Sequence, residues 1–142
     1  MAFPGQSFQY SSQNLSLGVG TAASGVVGEI RATNNVTAYY SSDERLKENI
    51  QDVPNALDIV TSIGSKTFDW TDAHIQKSGG EDGYFVRKSD FGVVAQDVQK
   101  VFPTAVRIRQ DGTLVVDYAK LAVLSFGAIK ELLKRVEALE NK

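Results

Sequence analysis

Ser42 and Lys47 stand five residues apart in the stretch AYYSSDERLKENI, and together they have the types needed for a serine–lysine dyad. A serine hydroxyl needs a base to become a nucleophile, and a lysine can be that base where no histidine is arranged for it. The only histidine of the chain, His74, lies in a separate, loop-like stretch. The chemistry of such a dyad would be acyl transfer, in which the serine oxygen attacks a carbonyl carbon.

A lysine acts as a base only when its amine is neutral. With an ordinary pKa near 10.4, holding a lysine neutral at pH 7 costs roughly 4.6 kcal/mol, at about 1.36 kcal/mol per pH unit. Burial, or a nearby cation such as Arg45, would lower this cost. On spacing alone a simpler interpretation stays open. In it, Ser41 caps a helix with Glu44 three residues on, and Lys47 is a solvated surface lysine.

The dyad lies at a sharp change of composition. Residues 1–40 carry two charged side chains, Glu29 and Arg31, whereas the remaining 102 residues carry 30. Polar sequence punctuated by glycines, with Val and Ile interspersed, predicts short β-strands separated by turns. Two interpretations stay open for residues 1–41. They are either a flexible leader or the C-terminal end of a β-rich fibre completed by other chains, whose interior turns leave little room for side chains.

After this border the sequence predicts a small α+β domain over residues 42–142. A helix is expected in DVPNALDIVTSIG, with Asp52 as its cap, Pro54 in its first turn and Gly64 at its end. A strand is expected in SKTFDW and a loop in IQKSGGEDGYFVRKSD. FGVVAQDVQKVFP predicts a strand and a short helix, and AVRIRQDGTLVVDY predicts a hairpin with its turn at Asp111–Gly112.

The last stretch, YAKLAVLSFGAIKELLKRVEALENK, predicts one helix of about 25 residues. Steps of three and four place small and branched apolar residues along one side, as at the a and d positions of a coiled coil. We name these positions the seam: Ala122, Ser125, Ile129, Leu132, Val136 and Leu139. Two interpretations stay open, because the helix can pack on its own domain or associate with copies of itself. A seam that reaches Leu139 favours self-association.

Composition argues against several other classes. The net charge of −2 provides no global attraction to nucleic acid or anionic lipid, so neither is expected as a partner. No apolar run approaches the roughly 20 residues of a membrane span, and the first residues lack the pattern of a signal peptide. The chain has no cysteine, which excludes disulfides and thiolate metal sites and is compatible with assembly in a reducing cytoplasm. No metal or other cofactor is expected.

Two sequence blocks carry a resemblance to a known family. The signature Ser-Asp-x-Arg-Leu-Lys and the block Gly-x-x-Ala-Gln-x-Val-x-x-x-Phe-Pro, with the segments between and after them, closely resemble the intramolecular chaperone, auto-processing domain of phage tailspikes and tail fibres. Endosialidase tailspikes are its best-known hosts. The resemblance runs in order from Ser42 to about Leu139. The matching residues are Ser42, Asp43, Arg45, Leu46 and Lys47, and then Gly92, Ala95, Gln96, Val98, Phe102 and Pro103.

The resemblance implies that the chain cuts itself at the Ser41–Ser42 bond. It assigns Ser42 as the nucleophile and Lys47 as its base, with Asp43 and Arg45 in supporting roles. Because Ser42 directly follows the bond, its hydroxyl could attack the preceding carbonyl through a five-membered ring, and water would then open the resulting ester. Attack on the bond of a neighbouring chain stays open as the alternative. Each site would then act once, which makes the reaction processing and not turnover.

The resemblance also implies a homotrimer, held by a trimeric coiled coil along the seam. Its folding client would be the upstream fibre segment of the same chain. A three-chain β stem pairs mostly between chains, so a domain that trimerises first raises the effective concentration of the strands and aligns them. After the cut, the persistence of the stem would depend on an unfolding barrier. The expected location is a virion tail fibre or tailspike, with the chaperone domain acting in the host cytoplasm during assembly.

Two rival functions stay open from the sequence. One is a permanent trimerisation or receptor-binding tip that keeps the signature but does not cut. The other is a Ser/Lys hydrolase of foreign substrates, which would need a groove for a substrate chain. No sequence feature indicates such a groove.

Overall fold

The computed structural model describes residues 8–11 and 15–142, which form short strands and four helices in a small mixed α and β architecture. The strands are β1 (Phe8–Ser11), β2 (Ser16–Val19), β3 (Ile30–Ala32), β4 (Lys66–Asp69), β5 (Ser89–Gly92), β6 (Val106–Ile108) and β7 (Leu114–Val116). The helices are α1 (Ala56–Ile63), α2 (Asp72–Lys77), α3 (Ala95–Val101) and α4 (Tyr118–Glu140). In this described part of the chain, no helix is long and apolar enough to cross a membrane.

The chain divides into two compact units. Unit 1 comprises Met1–Ser42 and Phe68–Asp90, and unit 2 comprises Asp43–Thr67 and Phe91–Lys142. The boundary between the units therefore follows Ser42, and the chain passes between them again in β4 and β5. The functional division at residues 41 and 42 stays a prediction.

In unit 1 the glycine-rich segment forms a three-stranded sheet. β1 pairs antiparallel with β2, and β2 pairs in parallel with β3. A Cβ atom at Gly18 would collide with the backbone at Thr21 and Ala22, which folds back over β2, so the close approach requires a glycine. The prediction of short β-strands is confirmed for the described residues, whereas the fibre interpretation stays a prediction.

Within unit 1, Arg31 links β3 to the second segment of the unit, Phe68–Asp90. Its Nε atom donates to Glu29 Oε2 at 2.9 Å, and its Nη2 atom donates to the carbonyl of Ser78 at 3.0 Å. Its Nη1 atom lies 3.7 Å from a carboxylate oxygen of Asp82. The Arg31 side chain is only 11% exposed, so these partners offset the cost of taking its charge out of water. Both charges of residues 1–40 thus belong to one cluster.

Unit 2 packs α1, α3, α4 and the β6–β7 hairpin around two adjoining apolar clusters. The members of the first cluster are Ile63, Val98, Ala105 and Val106, and those of the second are Ala56, Leu124 and Ala128. Three residues touch both clusters from partly buried positions: Ile59, Phe102 and Leu121. These contacts join the short helices and the hairpin to the first half of α4.

The approach of α1 to α4 is close at Ala56 and Gly127. A Cβ atom at Gly127 would lie 3.0 Å from the Cβ of Ala56, and Ala56 is completely buried. Glycine inside a helix costs about 1 kcal/mol relative to alanine. A side chain at position 127 would crowd the buried Ala56 side chain, so the glycine suits the close approach of the two helices.

α4 also caps α1. The two carboxylate oxygens of Glu131 accept hydrogen bonds from the backbone N–H groups of Ala56 at 2.9 Å and Leu57 at 3.0 Å. Asn55, the residue at the N-cap position, has left-handed backbone geometry (φ 55°) and makes no side-chain capping bond. A carboxylate at a helix N-terminus also interacts favourably with the helix dipole.

The order of predicted elements agrees with the structure in most places. SKTFDW contains β4, FGVVAQDVQKVFP continues from β5 into α3, the hairpin turns at Asp111–Gly112, and the final stretch is the 23-residue α4. Three predictions are wrong. Pro54 does not lie in the first turn of α1, because the helix begins at Ala56 with Asn55 at the N-cap position. Asp52 does not cap α1, because its carboxylate binds Lys130 Nζ at 2.6 Å. The predicted loop begins in α2, which Thr71 Oγ1 starts by accepting from the backbone N–H of His74.

The Glu131 cap gives a stability prediction. Glu131→Ala should lower the free energy of unfolding by about 1–2 kcal/mol, because two N–H groups of α1 lose their acceptor. Urea denaturation monitored by circular dichroism measures the change. Glu137→Ala, an exposed position on the same helix, is the control and should stay within about 0.5 kcal/mol of the parent. Equal stability of the two variants would contradict the capping role.

Candidate functional site

The signature segment folds into a single 3₁₀ turn, Glu44–Leu46. The backbone N–H of Leu46 donates to the carbonyl of Asp43 at 3.1 Å, and that of Lys47 donates to the carbonyl of Glu44 at 3.0 Å. Ser42 directly precedes Asp43, the N-cap residue of the turn, and Lys47 is its C-cap residue. The two predicted catalytic residues therefore flank one short turn.

Asp43, and not Ser41, caps this turn. Its Oδ1 atom accepts a hydrogen bond from the backbone N–H of Arg45 at 2.9 Å. The interpretation in which Ser41 caps a helix is therefore wrong. The reason is local, because an aspartate one residue before the first turn residue is a strong capping residue and the helical segment is only three residues long.

Asp43 and Arg45, the predicted supporting residues, form a two-pronged ion pair. Arg45 Nε donates to Asp43 Oδ1 at 3.0 Å, and Arg45 Nη2 donates to Asp43 Oδ2 at 2.7 Å. The side-chain bonds from Arg45, and then its backbone N–H, hold the pKa of Asp43 below its ordinary value, and the pKa of Arg45 is raised in turn. The pair is exposed, so it contributes little to stability. Its effect is to set the shape of the turn.

The stretch around the predicted bond is exposed to solvent. Every residue from position 33 to position 55 is exposed, including Ser41, Ser42 and Lys47. Large apolar side chains in this stretch are also exposed: Tyr39 by 94%, Tyr40 by 88%, Leu46 by 72% and Ile50 by 62%. In a single chain the signature is therefore a shaped but solvated segment.

α4 presents two different faces. Leu124 and Ala128 are buried against the second apolar cluster. The predicted seam lies to the side of this buried face, and four of its positions are exposed: Ile129 by 62%, Leu132 by 49%, Val136 by 41% and Leu139 by 65%. Ala122 is also exposed, whereas Ser125 is partly buried and donates to the carbonyl of Leu121. α4 thus packs on its own unit and leaves most of the seam uncovered; the coiled coil stays a prediction.

Unit 2 contains an apolar cleft of about 350 Å³ between α1, α4 and Val93, the residue that follows β5, and we name it the α1–α4 cleft. Its walls include Val60, Ile63 and Ser65 on one side and Leu121 and Leu124 on the other. No signature residue lines this cleft. No group of three or more His, Cys, Asp or Glu side chains that could hold a metal ion occurs in residues 8–11 and 15–142.

Sequence reasoning missed several polar residues that organise unit 2. Glu131 caps α1, Lys130 binds Asp52, and the Tyr118 hydroxyl accepts from the backbone N–H of Val93 at 3.3 Å. In each case the partner is far away in the chain. No local pattern would have indicated these contacts.

The family assignment follows from the same signature. Residues 42–107 match the model of a peptidase family described as Chaperone of endosialidase, so this part of the chain belongs to the endosialidase-chaperone family. The match begins at Ser42, the first residue after the predicted cut.

The chain is similar to phage tail fibre proteins and to a protein of a cellular organism. The chain is similar to the long tail fiber protein Gp37 of Salmonella phage S16, with 33% identity over 72% of this chain, and to that of Enterobacteria phage K3, with 34% identity over 81%. It is also 28% identical, over 82% of its length, to myelin gene regulatory factor-like A of Dictyostelium discoideum. The chain spans only about a tenth of these relatives, since the matches cover 13%, 9% and 13% of their lengths.

The ion pair in the turn gives a prediction about titration. Arg45→Ala should raise the titration midpoint of Asp43 toward the ordinary value of about 3.9, because Arg45 is the main cause that lowers it. Since the folded pKa is depressed, the support of the pair for the turn is present above the ordinary value and is lost as the pH falls through the folded pKa. NMR titration of the Asp43 carboxyl carbon measures the shift. Arg135→Ala, which removes a distant exposed arginine, should leave this midpoint where it is.

Proposed function

We propose that this chain is an intramolecular chaperone that trimerises, aligns the upstream segment of a phage tail fibre, and then releases itself by cutting the Ser41–Ser42 bond. The observation that carries the proposal is the complete signature at the start of the family match, on an exposed turn where the two units meet in the chain. Exposure permits the backbone rearrangement that cleavage requires. The similarity to long tail fiber proteins supports the fibre as the client.

The proposed reaction is a two-step acyl transfer. The Ser42 Oγ atom attacks the Ser41 carbonyl carbon while the Lys47 amine takes the hydroxyl proton. The C–N bond then breaks, the proton passes to the Ser42 nitrogen, and an ester joins the two segments. Water attacks the ester carbonyl and leaves a new carboxyl end at Ser41 and a free amine at Ser42. No outside oxidant, reductant or cofactor is needed for this balance.

The Asp43–Arg45 pair would act on the geometry of this step. By fixing the turn between Ser42 and Lys47, it limits the positions that the hydroxyl and the amine can adopt. The pair also takes up the charge of Arg45. Arg45 is thus not available as the nearby cation that would favour a neutral lysine, and exclusion of water has to serve instead. In the proposed function, neighbouring copies exclude this water by covering the exposed Tyr39, Tyr40 and Leu46 side chains.

A non-cleaving tip is the second candidate function. The exposure of every residue from position 33 to position 55 favours it, because in a single chain no part of this segment is enclosed as a formed catalytic site would be. Such a tip would trimerise through the same seam. Cleavage of the purified protein separates the two candidates.

The nucleophile and the base can be tested by substitution. Ser42→Ala should abolish cutting without unfolding the protein, because the exposed hydroxyl contributes chemistry and little packing. Lys47→Arg should abolish cutting as well, since arginine stays protonated. On a denaturing gel the parent should give bands of about 4 and 11 kDa from its 15.4 kDa chain, and both variants should give one band. A Ser42→Ala protein cut at the parental rate would exclude Ser42 as the nucleophile.

The coupling of cutting to assembly can be tested on the seam. Leu132→Asp should dissociate the trimer, because three carboxylates would meet in an apolar layer, and it should also stop cutting although Ser42 and Lys47 are intact. Val123→Asp, an exposed apolar position off the seam, is the matched control and should remain trimeric and active. Light scattering and the cleaved fraction, followed from about pH 6 to about pH 9, give both readouts, and the rate should rise with pH for a basic amine. A monomer that cuts as fast as the trimer would exclude gating by assembly.

A further inference from the structure

The α1–α4 cleft lies beside the seam, on one edge of α4. Leu121, Leu124 and Ser125 of α4 line it, and Ser125 is also a seam position. An interface along the seam would therefore continue directly into the cleft. A side chain of another copy that faces this edge of α4 would enter the cleft, an apolar space of about 350 Å³.

The seam sets the register of its flanking positions. With Ala122, Ile129 and Val136 at a, the d positions are Ser125, Leu132 and Leu139, so Leu121 falls at g and Phe126 at e. In a parallel coiled coil, the g residue of one helix faces the e residue that follows about five positions later on its neighbour. Leu121, a wall of the cleft, would thus face Phe126 of the next copy.

The last flanking pair is consistent with this register, because Arg135 at g and Glu140 at e have opposite charges. Arg135 also lies 3.3 Å from a carboxylate oxygen of Asp58 in its own chain. The pair between takes no part, because Ala128 at g is buried in the second apolar cluster of its own unit. Coiled coils commonly place complementary charges at e and g. Phe126 is 70% exposed in the single chain, although an e position is more often charged. Its exposure leaves a large apolar side chain without cover.

Phe126 cannot fill the cleft of its own chain. Residues 124 and 126 are separated by about 200° around a helix of 3.6 residues per turn, so their side chains lie on nearly opposite sides. Leu124 is buried in the cleft wall and Phe126 faces solvent. The matching ring must come from another copy.

We propose that Phe126 of a second copy of this chain fills the α1–α4 cleft. The contact rests on the trimer of the proposed function. It adds to that trimer a second point of packing outside the coiled-coil core, in which the Phe126 ring is the knob and the cleft is the hole. Because the hole is built partly from α1 and from Val93, the contact binds each α4 to the globular part of its neighbour and not only to the neighbouring helix. Repeated around three copies, the same one-way contact closes into a ring.

Photo-crosslinking tests the contact in the intact protein. Phe126 is replaced by p-benzoylphenylalanine, the protein is irradiated as the assembled species, and the crosslinked peptides are identified by mass spectrometry. The expected partners are cleft residues of another copy, in α1 near Val60 to Ser65, near Val93, or near Leu121. The same probe at Val123, an exposed position off the seam, should not label the cleft.

A substitution gives an independent readout. Phe126→Ala should raise the concentration at which the trimer dissociates at least about tenfold, because a buried phenyl ring returns to water. Val123→Ala should leave that concentration within about twofold. Both variants keep the seam and the signature unchanged, so loss of folding is not the expected cause of any difference.

The outcomes separate this contact from the proposed function. Cleft labelling from position 126 in a trimeric protein supports the contact. A trimer in which the probe labels only position 126 of other copies places Phe126 in the coiled-coil core, and it overturns the contact while the trimer stands. A trimer in which Phe126→Ala has no effect also overturns it. A monomeric parent overturns both the contact and the trimer of the proposed function.

Discussion

Unit 2 depends on how closely α1 and α4 approach at Ala56 and Gly127. Gly127 leaves room for the Ala56 side chain, and one turn further along α4 the carboxylate of Glu131 accepts from the N-terminus of α1. The same contact buries the face of α4 that carries Leu124 and directs the seam outward. Gly127 thus lies in the face of the longest helix that packs inside the unit, beside Leu124 and Ala128, and most of the seam stays exposed.

The signature segment is held by local interactions, whereas unit 2 depends on packing between distant helices. Its shape comes from short-range interactions, a capped turn and the Asp43–Arg45 ion pair, and almost none of its surface is buried. Local interactions are sufficient to hold a backbone turn, but they do not exclude water from an amine. A serine–lysine reaction needs both conditions, since a hydrated lysine stays protonated. On the proposed function, the turn is supplied within each chain and the dry environment by assembly, which places the reaction after the alignment of the client.

Unit 1 shows how a sequence poor in charge can still use its few charges structurally. Arg31 is almost buried, and it brings Glu29, Asp82 and the Ser78 carbonyl together around β3. A buried guanidinium with these partners is costly to leave unpaired, so the cluster favours one arrangement of the Phe68–Asp90 segment against the glycine-rich strands. The carboxylate of Asp82 also accepts three backbone N–H groups, which lowers its pKa and keeps it charged opposite Arg31.

The sequence by itself determined the features that depend on neighbouring residues. The hairpin at Asp111–Gly112, the long α4 and the serine–lysine signature could all be read from local patterns, because turn residues, helical periodicity and a contiguous motif act over a few positions. Tertiary structure decided what depends on distant partners. The cap of α1 comes from Glu131, more than 70 residues away, and not from the nearby Asp52, which binds Lys130. Periodicity likewise showed that α4 has apolar faces but not which one is buried, since that choice depends on where another helix can approach a glycine.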